Sequence, residues 1–414
     1  MTGIRIYCSI IILFVCANVL NAKTITVCNS CGVKSIKEAI SQAQPGDQII
    51  VQEGIYKEYD LIINKKLSII GEGNVIVDGE KKGGIFIISQ SDGVTLKNLT
   101  IQNVGNSYSA DYAAVRVTQS TNFHLENLKL RQFYFGIHVG KSSNGQILNN
   151  DIRGDAKDEY NSGNGVHLWY SEKVEIKNNY ISGCRDGIYF EFANFCKIES
   201  NYTTKNIRYG LHFMFSNNDE YINNVFTENA AGVAVMFSKK INMIGNVFKK
   251  NWGASSYGLL LKEISDAEIL NNTFEENSTG IQIDGTTRIN YFNNKFNNNG
   301  WAMKVAGAAY SNIIKKNNFS NNSFDLAYNS NINDNLFEEN YWSDYNGYDL
   351  NKDGFGDVPY RPVKLFSYIV DKTPEAIILL RSLFVSIINF SERVSPVFTP
   401  DNLMDNKPKM TPYP

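Results

Sequence analysis

Apolar residues in this chain recur in short alternating runs rather than in helical stripes. The repeated unit is a glycine, a strand with apolar residues one and three places after it, a polar turn, and a second short strand introduced by Asn-x-Phe or Asn-x-Ile. Gly136, Gly165, Gly187, Gly210, Gly232, Gly258 and Gly280 mark the first strand; Asn150, Asn178, Asn201, Asn224, Asn246, Asn272, Asn294 and Asn317 mark the second. Both series advance by about 22 residues, with a few longer coils that carry loop insertions. A period of that size, poor in helix formers, predicts a solenoid. The expected fold is all-β: a right-handed parallel β-helix over residues 23–345. An amphipathic stretch from Ser35 to Ala43 predicts a short helix capping its N-terminal end. Like residues stacked one rung apart build a continuous core, and the turn asparagines are expected to hydrogen-bond along the stack. These asparagines read as structural.

Alternation assigns a direction to each side chain. Ile137/Val139, Val166/Leu168, Ile188/Phe190, Leu211/Phe213 and Val233/Val235 point inward, so the second and fourth residues after each glycine point out. The second-place column reads His138, His167, Tyr189, His212, Ala234; the fourth reads Gly140, Trp169, Glu191, Met214, Met236. Three of the four histidines fall in one column, and Met214 and Met236 are neighbours in the next. Neutral imidazole and thioether are ligands for soft metals, Cu(I) above all. Met214, Met236 and His212 are therefore candidate metal contacts, with His167 further along the same face. The same groups, with Trp169 and Phe215, also suit an apolar contact surface for a loop, tail or partner.

The ends of the chain add a compartment. Residues 1–22 carry Arg5, an apolar run from Ile10 to Val15, and Ala22, the order of a secretory signal peptide. With Arg5 removed, the remaining 40 Lys and Arg residues minus that one face 42 Asp and Glu. This slight acidic excess argues against nucleic acid as a partner. Cys28, Cys31, Cys184 and Cys196 remain after the signal, and their pairing stays open; Cys28-x-x-Cys31 suits a small bridge, two free thiols, a redox pair or a soft-metal site. Residues 346–363 form an Asp-rich closing loop. There Asp349, Asn351, Asp353 and Asp357 have the oxygen spacing of a calcium loop, although Tyr360 stands where a bidentate Glu is expected. A hydrogen-bonded acidic turn is the other reading. Residues 364–414 form a tail. Its stretch from Ala376 to Phe390 predicts an amphipathic helix, which either folds over the solenoid end or docks on a membrane-embedded partner. Val397 to Pro414 is too polar for a core and is expected to extend along a partner.

Particular segments sharpen this picture. Gly210-Leu-His-Phe-Met-Phe-Ser216 and Ala231-Gly-Val-Ala-Val-Met-Phe-Ser238 resemble the core of the NosD family, the periplasmic β-helix proteins of nitrous oxide reductase maturation. Asn340-Tyr-Trp-Ser-Asp-Tyr345, Asp353-Gly-Phe-Gly-Asp-Val-Pro-Tyr-Arg-Pro362 and the tail from Pro374 to Val394 resemble the family's closing segments. The resemblance implies a periplasmic accessory protein held at the inner membrane by an ABC transporter of the NosF/NosY type, reached through the C-terminal tail. It also implies a copper-donating lipoprotein and nitrous oxide reductase as partners, and copper, as Cu(I), as what is handled. The rival reading is a β-helix lyase or epimerase acting on acidic polysaccharides. Such an enzyme needs clustered carboxylates with a basic residue on one outer face. The outward columns offer imidazole, thioether and aromatic groups instead, so a non-enzymatic role is expected.

Overall fold

The computed structural model describes residues 22–107, 110–329, 334–394 and 403–414. The expected signal peptide, apart from Ala22, lies outside them. Every strand pairing between named strands is parallel, and each strand pairs with its equivalent in the next coil. Among the described residues the strands form one sheet of 25 strands and one of 12, wrapped around a shared core. The chain is a parallel β-helix.

Two features of the sequence drive that closure. Inward Val, Ile, Leu and Phe from every rung are fully buried, from Val27 at one end to Trp342 at the other. Their like-on-like stacking is plainest in Phe226, Phe248, Phe274, Phe296, Phe319 and Trp342. Successive rings there lie 5.4, 4.6, 4.9, 4.8 and 4.1 Å apart and nearly parallel. The corners are held by asparagine. Asn201 Nδ2 donates to Asn224 Oδ1 at 3.0 Å and to the Ile176 carbonyl at 2.8 Å, while its backbone N–H donates to the same Asn224 oxygen. The pattern repeats from Asn150 through Asn179, Asn201, Asn224, Asn246, Asn272, Asn294 and Asn317 to Asn340.

One member of this ladder differs from the sequence expectation. Asn179, not Asn178, occupies the corner; Asn178 sits in the preceding turn with φ of 56°. Either residue satisfies an asparagine followed at short range by an apolar residue, and only the pairing register separates them. A second ladder, Asn206, Asn229, Asn251, Asn277, Asn299 and Asn322, stands at another corner. It went unrecognised in the sequence because its residues lie inside the turns between the two marked strands.

Both ends of the solenoid are closed. Helix α1 (Ile36–Gln42) has Ser35 as its N-cap, accepting from Glu38 N, and buries Ile36, Ala39 and Ile40. Glu58 accepts from the backbone N–H groups of Ile36 and Lys37, satisfying two more donors of the first turn. At the far end the asparagine ladder stops on Asp405. Its carboxylate accepts from Asn340 N, Asn340 Nδ2, Trp342 Nε1, Glu339 N and Lys407 N. Residues 403–414 therefore pack against the solenoid, which corrects the expectation that Val397–Pro414 extends along a partner; 395–402 lie outside the described residues. A carboxylate, which only accepts, can terminate a stack whose last member still has donors to place.

The tail also departs from a single helix over Ala376–Phe390. Helix α2 (Leu365–Lys372) is followed by a 3-10 segment (Pro374–Leu379) and helix α3 (Leu383–Val394). Phe366 and Val370 of α2 pack against Trp301, Phe324 and Ala327, which project from the outer side of the 12-stranded sheet. Phe324 and Phe366 rings are 6.0 Å apart. Alternation in α2 covers barely two turns, too few for its period to stand out from the loop residues around it.

Candidate functional site

The outer side of the 12-stranded sheet carries the two columns expected from alternation. Register runs His138–His167–Tyr189–His212–Ala234 in one and Gly140–Trp169–Glu191–Met214–Met236 in the other. Met214 and Met236 are thus direct neighbours on adjacent rungs, about 4.8 Å apart at the backbone. Both are partly exposed. His212 lies two residues before Met214 on the same strand, Tyr209–Met214. His167 does not join them: Tyr189 stands between, with ring centroids 4.7 Å from His167 and 5.1 Å from His212.

The histidine column is outward but not solvent-facing, which corrects the expectation of an exposed imidazole wall. His138 and His212 are buried and His167 is half-buried. Phe135 packs on His138 and His167 at 5.3 and 5.2 Å, and the two imidazoles lie 4.9 Å apart. Asn164 Nδ2 donates to His167 Nδ1 at 3.2 Å. Burial pushes the His138 imidazole down to about 4 and that of His167 down to about 3, so both are neutral near neutral pH. The residue before each repeated glycine also points outward, because both the glycine and the residue after it face the core. In that extra column, Phe135, Asn164, Asp186, Tyr209, Ala231 and Tyr257, the first four lie against the imidazoles. Strict alternation places it inward, so nothing in the periodicity reveals it.

The next position along each strand end is left-handed backbone, and its residues form a second exposed feature. Tyr170, Phe192, Phe215 and Phe237 have φ between 47° and 53° and stack with centroids 4.5, 5.1 and 5.2 Å apart. This aromatic stripe borders Met214 and Met236 and remains substantially exposed at Tyr170, Phe215 and Phe237.

Among the described residues no three His, Cys, Asp or Glu side chains converge to hold a metal ion. A metal held here would therefore depend on the thioethers. In the closing loop the carboxylates turn to backbone amides instead: Asp349 accepts from Asp353 N and Gly354 N, Asp353 from Phe355 N, and Asp357 from Leu350 N. These bonds make the hydrogen-bonded acidic turn. Cys28 and Cys31 form a disulfide, which removes them as thiolate ligands. Cys184 and Cys196 are free and buried, and burial raises the Cys184 thiol to about 12. A cavity of about 290 Å³ lies beside the 155–163 insertion, lined by Tyr134, Asp155, Ser162 and Cys184, but by none of the predicted metal contacts.

These features define a parallel β-helix whose outer wall presents thioether, imidazole and aromatic groups in register. The chain is similar to the NosD family. Residues 148–347 match the family model described as periplasmic copper-binding protein (NosD). It is 26% identical over 84% of its length to a protein of Stutzerimonas stutzeri named probable ABC transporter binding protein NosD, covering 83% of that protein. A Pseudomonas aeruginosa protein of the same name is 27% identical over 85% of each chain. The fold is also that of the A-module of mannuronan C-5 epimerase AlgE6 from Azotobacter vinelandii, at a TM-score of 0.58 and 13% identity over 72% of this chain and 92% of that one. A family 28 exopolygalacturonase of Yersinia enterocolitica aligns at 0.53, with 11% identity over 76% and 78%. At such identities the likeness concerns the fold alone. Among the described residues no helix is long and apolar enough to cross a membrane.

Proposed function

We propose that this protein is a periplasmic, non-enzymatic accessory factor that works with an ABC transporter and handles Cu(I) for the copper centres of nitrous oxide reductase. The observation that carries the copper reading is the pairing of Met214 with Met236 on adjacent rungs, with His212 two residues away on the same face. Two thioethers with one imidazole make a soft donor set that favours Cu(I) over harder ions. His167, separated from this set by Tyr189, is left out of it. The family description and the relatives' names support copper binding and an ABC transporter. A copper-donating lipoprotein and the reductase follow from the family reading. The relatives are named as binding proteins, which favours this reading over an acidic-polysaccharide lyase or epimerase.

The docking element we assign is the C-terminal tail. Ile377, Ile378, Leu383, Phe384, Ile387 and Phe390 are exposed on the 3-10 segment and α3, while α2 anchors both to the solenoid. An apolar face of this size suits a membrane-embedded partner. Copper binding is tested by titrating the purified protein with Cu(I) against a competing chelator. Roughly one ion per chain is expected, and Met214→Ala with Met236→Ala should weaken binding by about tenfold or more. Unchanged affinity in the double variant would remove the proposed contact.

A further inference from the structure

The residue column that covers the histidines contains a cluster that shares only His212 with the proposed copper contacts. Asp186 is fully buried, yet neither carboxylate oxygen has a hydrogen-bond partner. Three nitrogen groups stand around it just beyond hydrogen-bond contact: His212 Nδ1 at 3.7 Å, Arg185 Nε at 3.8 Å and Arg208 Nε at 3.9 Å. Both His212 ring nitrogens and Arg185 Nε are likewise without partners. Leaving such a group unpaired in a protein interior is costly, and more so when it is charged.

Aromatic and small side chains surround the cluster. Tyr189 packs on His212 from the neighbouring rung, and Tyr209 packs on it at 4.9 Å from within its own rung. The rung above has only Ala231 and Ala234 at the two outward positions. Tyr257, one rung further on, reaches back past these alanines, its hydroxyl 3.3 Å from that of Tyr209. Arg208 lies over the Tyr209 ring at 4.8 Å. Asp186, His212 and the alanines form a buried floor, while the two arginines and the tyrosines form a half-exposed rim.

The unpartnered atoms specify a ligand. The Asp186 oxygens accept, so the ligand must donate. Arg185 Nε donates, so the ligand must also offer an acceptor, and a charged one gains most from two guanidinium groups. A metal cation meets neither the arginine nor the local charge, since it would sit beside two fixed positive groups. A neutral sugar supplies hydroxyls without the anion. The flat phenol faces of Tyr189, Tyr209 and Tyr257 suit a ring over a linear acid. We propose that this cluster binds a carboxylate flanked by hydroxyls on a sugar ring: a uronate unit, free or within an acidic glycan. Arg185 and Arg208 take the carboxylate, and Asp186 and His212 take the hydroxyls.

Calorimetric titration of the full mature protein with D-galacturonate, D-mannuronate and their trimers, beside maltotriose, tests this. At least one uronate is expected to bind saturably and maltotriose not to bind; a trimer binding much more tightly than the monomer identifies a glycan as the source. Arg208→Ala, at the half-exposed rim where folding is least at risk, should weaken uronate binding by about tenfold or more. Met214→Ala with Met236→Ala should leave it unchanged. Absence of binding by every uronate, equal binding of maltotriose, or an unaltered affinity in Arg208→Ala would overturn the proposal.

Discussion

Asp219 shows how one side chain can set the pH response of a solenoid. It occupies a corner where its Oδ1 accepts from Cys196 N at 2.7 Å, and it is otherwise enclosed by the core. Burial pushes its carboxyl up to about 8 from the ordinary carboxylate range. A folded-state value above the unfolded one means that the folded chain holds a proton the unfolded chain has lost. This group's contribution to stability is therefore fullest in acid. It declines from about pH 4 to about pH 8, by roughly 1.4 kcal/mol per pH unit at most, and is flat beyond. Asp219→Asn keeps the acceptor without the charge. Urea unfolding at about pH 5 and about pH 8.5 should show the substitution stabilising the protein at the higher pH by a few kcal/mol and much less at the lower. Equal shifts at both pH values would refute the assignment.

At the scale of elements, the asparagine ladder and the aromatic stack are cooperative only while each member has its neighbour. The C-terminal end is where that chain of dependence is closed, by a carboxylate that lies 65 residues away in sequence from Asn340. Asp405→Ala leaves Trp342 Nε1, one of the two Asn340 Nδ2 protons and the backbone N–H groups of Glu339, Asn340 and Lys407 without their acceptor, while Asn340 Nδ2 keeps its bond to the Ile314 carbonyl. An overall loss of about 2–4 kcal/mol is expected, read as a lower midpoint in chemical denaturation. Unravelling should start at this end, so hydrogen exchange should accelerate over residues 313–342 before it does near α1. Uniform acceleration along the solenoid would contradict the ladder's end as its point of closure.

For the whole molecule, the two walls divide the labour. The 25-stranded sheet is lined outside by charged pairs such as Lys97–Glu126, Lys177–Glu199 and Lys315–Glu338, a solvated surface. The 12-stranded sheet carries the methionines, imidazoles, aromatic stripe and Asp186 cluster, and α2 seats the apolar tail on that same side. In the docking role proposed for it, the tail's exposed face serves association rather than folding. Phe384→Asp with Ile387→Asp should therefore leave the melting temperature of the isolated protein within about 2 °C. It should abolish co-purification with the transporter from membranes. A large loss of stability would show instead that α3 is part of the solenoid's cap.

The periodicity of glycine and of the apolar pairs made the solenoid, its wall assignments and the pairing of Met214 with Met236 legible in the chain alone, because strand register in a β-helix is set by sequence spacing. The family segments were legible too, being contiguous. What the periodicity could not reveal depends on departures from strict alternation or on distant partners. The outward turn of Asp186 and Tyr209 breaks the two-residue period at each repeated glycine. The burial of His212 comes from side chains on neighbouring rungs, the seat of Asp405 from a return of the chain across more than sixty residues, and the choice of Asn179 over Asn178 from pairing alone. Local pattern specifies which residues stack; only the closed tertiary structure decides which of the outward ones are covered.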